Sequence, residues 1–314
     1  MGQLELRTVT RTQGNNAALK SGEISPSTCR LVFEEVPVLV QAFRRMVRTL
    51  EFDVCEMAFT TYLCAKAHGT PFTALPIFLV RGFHHGAVLV RADAPMRPGD
   101  LHGRRVGVNR GYTVTTGVWA RAILQEEHGL DLSSVTWAPS GDEHVEAYEP
   151  PANVAPLAPG SDLGDLLVSG ELAAVVGAEI DRPEVMPLIA DPERAALTAL
   201  TERGFYPINH VIVVRDELLT AHPDLAADLF AAFASAKRRY VDRLRAGALA
   251  EPSTTDRLYA RVLEATGDDP LPYGVDPNRK MIESLMAHAV TQQILSAPPG
   301  LADVFAAGTL DLTA

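Results

Sequence analysis

Cysteine, aromatic residues and runs of positive charge are all scarce in this chain of 314 residues. The cysteines Cys29, Cys55 and Cys64 are odd in number and match no metal-binding or redox spacing, so buried free thiols are expected. Aromatic residues make up 6% of the chain, which favours a core of small aliphatic side chains. The formal net charge is -11, and an acidic chain without a basic face is not expected to bind nucleic acid.

Long apolar runs are also missing. None reaches the roughly 18 residues that a membrane helix needs. The start of the chain has no basic segment followed by an apolar segment, as a signal peptide would have. We therefore expect a cytoplasmic protein without a membrane partner.

What the chain does contain is alternating strand and helix patterns, in a length that favours roughly two domains. Strands are predicted at residues 4–10, 74–78, 87–90, 105–108, 135–137, 173–176 and 211–214. Helices are predicted at residues 38–50, 60–68, 118–128, 163–172, 224–246, 254–265 and 278–295.

This order predicts an α/β protein with two lobes, because a middle strand–helix–strand block interrupts the first lobe. Lobe I is expected to contain residues 1–104 and 206–314, and lobe II residues 105–205. The chain is expected to cross between them near residues 92–104 and 205–212. Ligands of such proteins bind in the cleft between the lobes.

Ionisable and hydroxyl side chains cluster within apolar sequence between residues 43 and 85. Such groups are costly to bury unless they are paired, so the cluster is a candidate site. Its polar members after the basic turn at 44–45 are Asp53, Glu56, Thr60, Thr61, Arg81, His84 and His85.

His84 and His85 follow an apolar strand, and neighbours in a strand point to opposite faces, so one of them at most can face a cleft. A histidine there can act as a proton donor, or it can be a structural residue bonded to backbone. Arg81 is suited to a bidentate pair with a carboxylate; the alternative is an ion pair with Asp53 or Glu56.

Glu56 can orient a histidine, accept a phenolic proton or ligate a metal. The alternative is that Glu56 forms an ion pair with Arg81. His210 lies near the second crossing and is a further catalytic candidate. Thr60 and Asn209 are assigned to substrate binding.

The loop after the strand at 105–108 opens a helix, and backbone N–H groups at a helix start bind anions. Its glycine spacing matches neither a P-loop nor a dinucleotide fingerprint. Ordinary N-capping by a threonine is the alternative. The substrate-binding candidates here are Asn109, Arg110, Thr113, Thr115 and Thr116.

No cofactor is expected. Glu56, His210 and either His84 or His85 are conceivable ligands of a divalent metal, but the strong spacing of a zinc site is absent. There is no Gly-x-Ser-x-Gly elbow and no cysteine in a polar setting, so nucleophilic catalysis is disfavoured.

Seven short motifs, spread in order over roughly residues 15 to 290, resemble the 4,5-dihydroxyphthalate decarboxylase family. They are FRRM at 43–46, EFDVCEM at 51–57, FLVRGFHH at 78–85, LHGRRVGV at 101–108, VWAR at 118–121, FYPINH at 205–210 and YGVDPNR at 273–279. The resemblance implies the fold of type II periplasmic solute-binding proteins and a non-oxidative aromatic decarboxylation. The chain departs from the family pattern at 13–16, in the loop at 109–116 and at 177–183.

A small aromatic carboxylate is thus the expected partner. Arg81 and the loop at 113–116 would hold carboxylates, and one of His84, His85 and His210 would deliver a proton to the ring carbon. A hydroxyl ortho or para to the leaving carboxylate would accept the electrons. The alternatives are a solute-binding protein without catalysis and another lyase on the same fold, such as a dehydratase. A homo-oligomer is compatible with the sequence.

Overall fold

A computed structural model describes residues 4–314 of the chain. The strands are β1 (Leu4–Val9), β2 (Cys29–Phe33), β3 (Val54–Ala58), β4 (Phe72–Arg81), β5 (Val88–Arg91), β6 (Arg105–Val108), β7 (Thr136–Pro139), β8 (Ala174–Val176), β9 (Val185–Pro187) and β10 (Ile208–Arg215). The helices are α1 (Ala17–Lys20), α2 (Leu39–Thr49), α3 (Phe59–Ala67), α4 (Thr115–His128), α5 (Leu163–Ser169), α6 (Pro192–Arg203), α7 (Asp216–Ala221), α8 (Leu225–Arg245), α9 (Thr254–Thr266), α10 (Arg279–Thr291) and α11 (Leu301–Val304).

The chain divides into two compact units. Among the described residues, unit 1 contains 4–82, 208–283 and 299–314, and unit 2 contains 83–207 and 284–298. Each unit has its own five-stranded mixed sheet, which confirms the predicted α/β class.

The sheet of unit 1 has the strand order β2-β1-β3-β10-β4. β1 runs parallel to β2 and β3, whereas β10 is antiparallel to both of its neighbours, β3 and β4. β3 is buried along its whole length, and so is most of β4. Pro76 is tolerated inside β4 because this strand lies at the edge of the sheet and its register with β10 shifts between the pairs Ile212–Leu75 and His210–Val80.

The sheet of unit 2 has the order β7-β6-β8-β5-β9. β6 is parallel to β7 and β8, and β5 is antiparallel to β8 and β9. Helix α4 is buried along most of its length, with Trp119 and Arg121 fully enclosed, and ends at Gly129 in the left-handed conformation.

The first crossing lies earlier than the sequence predicted. Residues 92–104 were expected to contain it, and strand β5 was therefore assigned to lobe I. In the structure β5 pairs with β8 and β9, so that unit 2 begins at Phe83. This boundary depends on which strands pair with β5. The sequence around β5 does not reveal its partners, because they are distant in sequence.

The predicted buried free thiols are confirmed for Cys29, Cys55 and Cys64. Burial raises the pKa of the Cys29 thiol to about 11, so the thiol stays protonated at neutral pH. In the part of the chain from 4 to 314, no helix combines the length and apolar character needed to cross a membrane.

Candidate active site

One edge of the unit 1 sheet carries two of the four predicted catalytic residues, Glu56 and His210, together with Arg81 and Asn209 of the predicted substrate-binding set. β1, β3 and β4 run in the same direction, and β10 runs against them. The carboxyl ends of the first three strands therefore meet the amino end of β10 at one edge. Glu56 lies on β3, Arg81 ends β4, and Asn209 and His210 lie at the start of β10.

Glu56 and His210 form a hydrogen-bonded pair at this edge. His210 is directly opposite Ala58, two residues beyond Glu56, so the two side chains share a face of the sheet. Nδ1 of His210 lies 2.6 Å from Oε1 of Glu56, and Oε2 accepts a hydrogen bond of 2.8 Å from the Arg11 backbone. The carboxylate is fully buried, whereas the imidazole is 17% exposed. Glu56 therefore fixes the orientation and tautomer of the ring and leaves Nε2 for a ligand.

The ring of Phe43 supports the same imidazole. The two rings meet edge to face, with centroids 5.3 Å apart. Phe43 is buried on α2 and belongs to the FRRM motif, but it was not among the site residues predicted from sequence. A buried aromatic residue in a helix is indistinguishable by sequence from ordinary core.

Arg81 is buried beside a neutral partner. Its Nη1 donates a hydrogen bond of 2.5 Å to Oδ1 of Asn278, and its backbone N–H lies 3.4 Å from the hydroxyl of Tyr259. Burial raises the pKa of Tyr259 to about 12. Of the residues proposed as ion-pair partners, Glu56 binds His210 and the Arg11 backbone, and Asp53 binds Arg215 at 3.3 Å.

Thr60 lies in the first turn of α3 and is fully buried, as is Thr61. Asn209 is also buried. Asn15 and Asn16, which occupy a stretch that departs from the family pattern, lie beyond the end of β1, and Asn15 donates a 2.8 Å hydrogen bond to the Leu79 backbone carbonyl. Both asparagines are buried in a 3₁₀ turn, and by sequence their only distinguishing feature is the departure from the family pattern.

An equivalent edge in unit 2 carries the predicted anion-binding loop. The carboxyl ends of β6, β7 and β8 meet there. The Asn109 side chain donates a 2.8 Å hydrogen bond to the Gly177 carbonyl, and the Arg110 backbone donates one of 2.9 Å to the Ser140 hydroxyl. Arg110 has φ 70, a left-handed conformation that is costly for a residue with a side chain.

Glu143 already occupies part of this loop. Its carboxylate accepts hydrogen bonds from the Tyr112 and Thr113 backbone N–H groups, the latter at 3.3 Å, and from the Thr113 hydroxyl at 2.5 Å. Glu143 was not among the residues predicted from sequence, because it lies in the irregular segment after β7. Thr115 is buried in the first turn of α4, and Thr116 packs toward Gly177.

His84 and His85 lie in unit 2 and therefore belong to a different unit from Glu56 and His210. His85 is fully buried, its Nε2 lies 3.1 Å from Oε1 of Glu127, and its ring meets Phe205 edge to face. The alternative expected from the sequence was a structural histidine bonded to backbone; His85 is instead buried against the side chains of Glu127 and Phe205. Burial lowers the pKa of His85, against the opposing effect of Glu127.

The protein is expected to lose stability as the pH falls below about 6.5, and His85 should account for part of that loss. Because its pKa is lowered by folding, the unfolded chain binds the proton at a higher pH. Stability is therefore full above the unfolded pKa and is lost as the pH falls through the folded pKa. Thermal unfolding of His85→Gln across this range should show a weaker pH dependence than the parent protein. The control is His102→Gln, an exposed histidine of the same unit; equal slopes for all three proteins would contradict the prediction.

Metal ligands are not grouped in residues 4–314: no set of three or more His, Cys, Asp and Glu side chains is placed to hold a metal ion. Glu56 and His210 supply two such groups to one location. The predicted third ligand, His84 or His85, is part of unit 2.

A cavity of about 350 Å³ opens beside the unit 2 loop. Asn109, Ser140 and Ala178 follow the ends of β6, β7 and β8 and contribute to its wall. Most of the other wall residues lie at the start of α5 or in the stretch 177–183, which departs from the family pattern. The carboxyl edge of a parallel sheet is the usual ligand position in α/β proteins.

Solved structures with this architecture are periplasmic-binding-protein-like. A Candida albicans protein described as having the generic periplasmic binding protein fold superposes with a TM-score of 0.58 at 13% identity, over 99% of this chain and 98% of that one. The alkanesulfonate-binding protein SsuA from Xanthomonas axonopodis pv. citri gives 0.51 at 17% identity over 96% of both chains. The desulfurization enzyme DSZB in complex with biphenyl-2-sulfinic acid gives 0.56 at 19% identity over 98% of both. The chain therefore has the predicted periplasmic-binding-protein-like fold.

Curated sequences identify the family. A 4,5-dihydroxyphthalate decarboxylase from Comamonas testosteroni is 32% identical over 289 residues, which cover 86% of this chain and 87% of that protein. A 4,5-dihydroxyphthalate decarboxylase from Pseudomonas putida is 37% identical over 171 residues, or 50% of this chain and 66% of that protein. No protein-family model matches the chain. The chain belongs to the 4,5-dihydroxyphthalate decarboxylase family, as the sequence motifs predicted.

Proposed function

We propose that this protein is a carboxy-lyase that removes CO2 from a small hydroxyaromatic carboxylate without an organic cofactor. Its family membership supports the reaction class. The observation that carries the chemistry is the pair formed by buried Glu56 and partly exposed His210, which presents one ring nitrogen at the edge of the unit 1 sheet.

His210 is the proton donor in this proposal. Nε2 delivers a proton to the ring carbon that bears the carboxylate, while a hydroxyl ortho or para to it donates electrons into the ring and becomes a protonated ketone. The bond to the carboxylate then breaks, CO2 leaves, and the electron pair of that bond passes through the ring to this oxygen, which restores both the hydroxyl and the aromatic ring. Glu56 keeps Nδ1 engaged throughout and balances the positive charge of the protonated imidazole.

Arg81 is the carboxylate-binding residue. Its guanidinium donates a hydrogen bond to the neutral side chain of Asn278, and the planar group is suited to a bidentate pair with a carboxylate. Register places it beside the start of β10, because Arg81 is opposite Ile208 and Val80 is opposite His210. Thr60 and Asn209 complete the proposed substrate-binding set in this unit.

A ligand screen with product analysis tests the proposal. Aromatic mono- and dicarboxylates, with and without ring hydroxyls, are ranked by the rise in unfolding temperature, and each stabilising compound is then followed by mass spectrometry. Loss of CO2 from a hydroxylated compound is the expected result. Stabilising compounds recovered unchanged across the whole panel would instead favour a solute-binding protein.

The cytoplasmic location stays a prediction, which cell fractionation tests.

A further inference from the structure

Asn278 is a buried amide in contact with Arg81, and the proposed chemistry alone gives it no role. We propose that Asn278 is a positioning residue: it fixes the direction of the Arg81 guanidinium and, being an amide, does so without forming an ion pair with it. The loop that carries Asn278 thereby contributes to the affinity of the unit 1 edge for a carboxylate. This inference rests on the proposed function for its substrate, but the contact itself can be tested without any ligand.

Both ends of the Asn278 amide are engaged. Nδ2 donates 2.8 Å hydrogen bonds to the backbone carbonyls of Pro272 and Gly274, and Oδ1 accepts the 2.5 Å hydrogen bond from Nη1 of Arg81. A carbonyl oxygen can only accept, so the two carbonyls determine which end of the amide is the NH2 group. Oδ1 is therefore the end that faces Arg81. Asn278 is 1% exposed, so water does not compete for these bonds.

The loop at 272–278 is attached to the strand that carries Arg81. The backbone N–H of Gly274 donates a 2.8 Å hydrogen bond to the carbonyl of Pro76 in β4. Gly274 has φ 105, and a Cβ atom at this position would overlap with a backbone carbonyl, so the loop requires glycine here. The amide of Asn278 and the guanidinium are thus held on one framework, as a positioning contact requires.

A second contact involves the backbone of Arg81. Its N–H lies 3.4 Å from the hydroxyl of Tyr259, whose buried ring meets the ring of Tyr240 edge to face. Tyr259 keeps its proton at neutral pH, because burial raises its pKa to about 12. Both of these contacts to Arg81 are therefore made by uncharged groups.

The difference between an amide and a carboxylate matters beside a residue that binds an anion. Aspartate has nearly the same shape as asparagine, but its carboxylate at position 278 would form a charge-assisted hydrogen bond with the guanidinium. The carboxylate of a substrate would then compete with an internal one. The carbonyls of Pro272 and Gly274 favour the amide, because they require a donor at this place.

A double-mutant cycle tests the contact without a ligand. Denaturant titration gives the unfolding equilibrium constants of the parent protein, Arg81→Met, Asn278→Ala and the double variant. The double variant should be about tenfold more stable than the two single effects predict, because both changes remove the same buried hydrogen bond to a charged group. A cycle that combines Asn278→Ala with Arg215→Met, at the opposite end of β10, should be additive. Additivity of the Arg81 cycle would overturn the positioning role.

Replacing Asn278 with aspartate tests the role of charge. With 4,5-dihydroxyphthalate as the probe, Asn278→Asp should raise KM at least about tenfold and leave kcat nearly unchanged. Asn278→Ala should raise KM less. If Asn278 acted through packing alone, aspartate would be tolerated at least as well as alanine, since it keeps the shape and an acceptor for Arg81. A KM for Asn278→Asp no higher than that for Asn278→Ala therefore contradicts the role of charge.

Asn153→Asp is the matched control for this chemical change. Nδ2 of Asn153 also donates to two backbone carbonyls, those of Leu132 at 3.0 Å and Val135 at 2.9 Å, but Asn153 belongs to unit 2. This variant should lose thermal stability and keep the parental KM.

The two kinds of measurement separate this inference from the proposed function. If the probe releases no CO2, its dissociation constant from calorimetry takes the place of KM. Absence of both binding and turnover contradicts the proposed function, whereas the double-mutant cycle still decides whether Asn278 holds Arg81. The cycle also decides the inference if Asn278→Asp does not fold.

Discussion

Replacing His210 with asparagine is expected to lower kcat by about 10²–10⁴-fold, the usual contribution of a positioned acid or base. Asparagine keeps a polar group beside Glu56 but has no nitrogen that can deliver a proton. The rate of CO2 release at saturating substrate measures the loss. KM should change less than kcat, because the proton moves only in the reaction itself.

Two further variants show whether the effect is specific. His68→Asn, an exposed histidine at the end of α3 in the same unit, should keep parental activity. Glu56→Gln should lower kcat less than His210→Asn and alter its pH profile, because a neutral amide no longer balances the charged imidazole. If His210→Asn kept more than about a tenth of the parental kcat with an unchanged pH profile, the proton donor would have to be sought elsewhere.

Arg81→Gln is expected to lower kcat/KM by about 10–100-fold, chiefly through KM. A hydrogen bond to a charged group contributes about 1.5–3 kcal/mol, and each 1.4 kcal/mol is a factor of about ten. Arg81→Lys should recover part of the loss, since it retains the charge without the planar fork that binds a carboxylate at two points. Steady-state kinetics on the compound selected by the ligand screen provide the measurement.

The control for Arg81 lies on the same sheet. Arg215→Gln makes the same change at the opposite end of β10, where Arg215 is paired with Asp53, and should leave KM unchanged. Asn278→Ala removes a hydrogen-bond partner of Arg81 but keeps the arginine, so its effect on KM should be smaller. A parental KM for Arg81→Gln would remove this residue from the substrate-binding set.

Secondary structure was predictable where a local pattern exists. β1, α2, β6 and α4 were all expected within a few residues of their observed bounds, because apolar periodicity and terminal glycines are local signals. Strands β2 and β9 were not expected. They lie at the outer edges of their sheets, where half-exposed positions weaken the alternation of apolar and polar residues.

The candidate site was likewise predictable only in part: its residue types follow from the sequence, but the contacts between those residues do not. That Glu56 can orient a histidine was inferred from residue type alone, but the identity of that histidine was not, since Glu56 and His210 are separated by 154 positions in the sequence. His84 and His85 seemed equally suitable by sequence. The structure places both in unit 2, with His85 enclosed against Glu127 and Phe205.

The sequence by itself determined the family, the α/β class and the residue types available for chemistry, because motifs and apolar periodicity are written along the chain. Only the tertiary structure decided which of those residues meet. The antiparallel return of β10 brought His210 to Glu56, and the irregular segment after β7 brought Glu143 to the turn before α4. Both contacts arise from chain segments that are distant in sequence, and the packing of each unit as a whole sets their geometry.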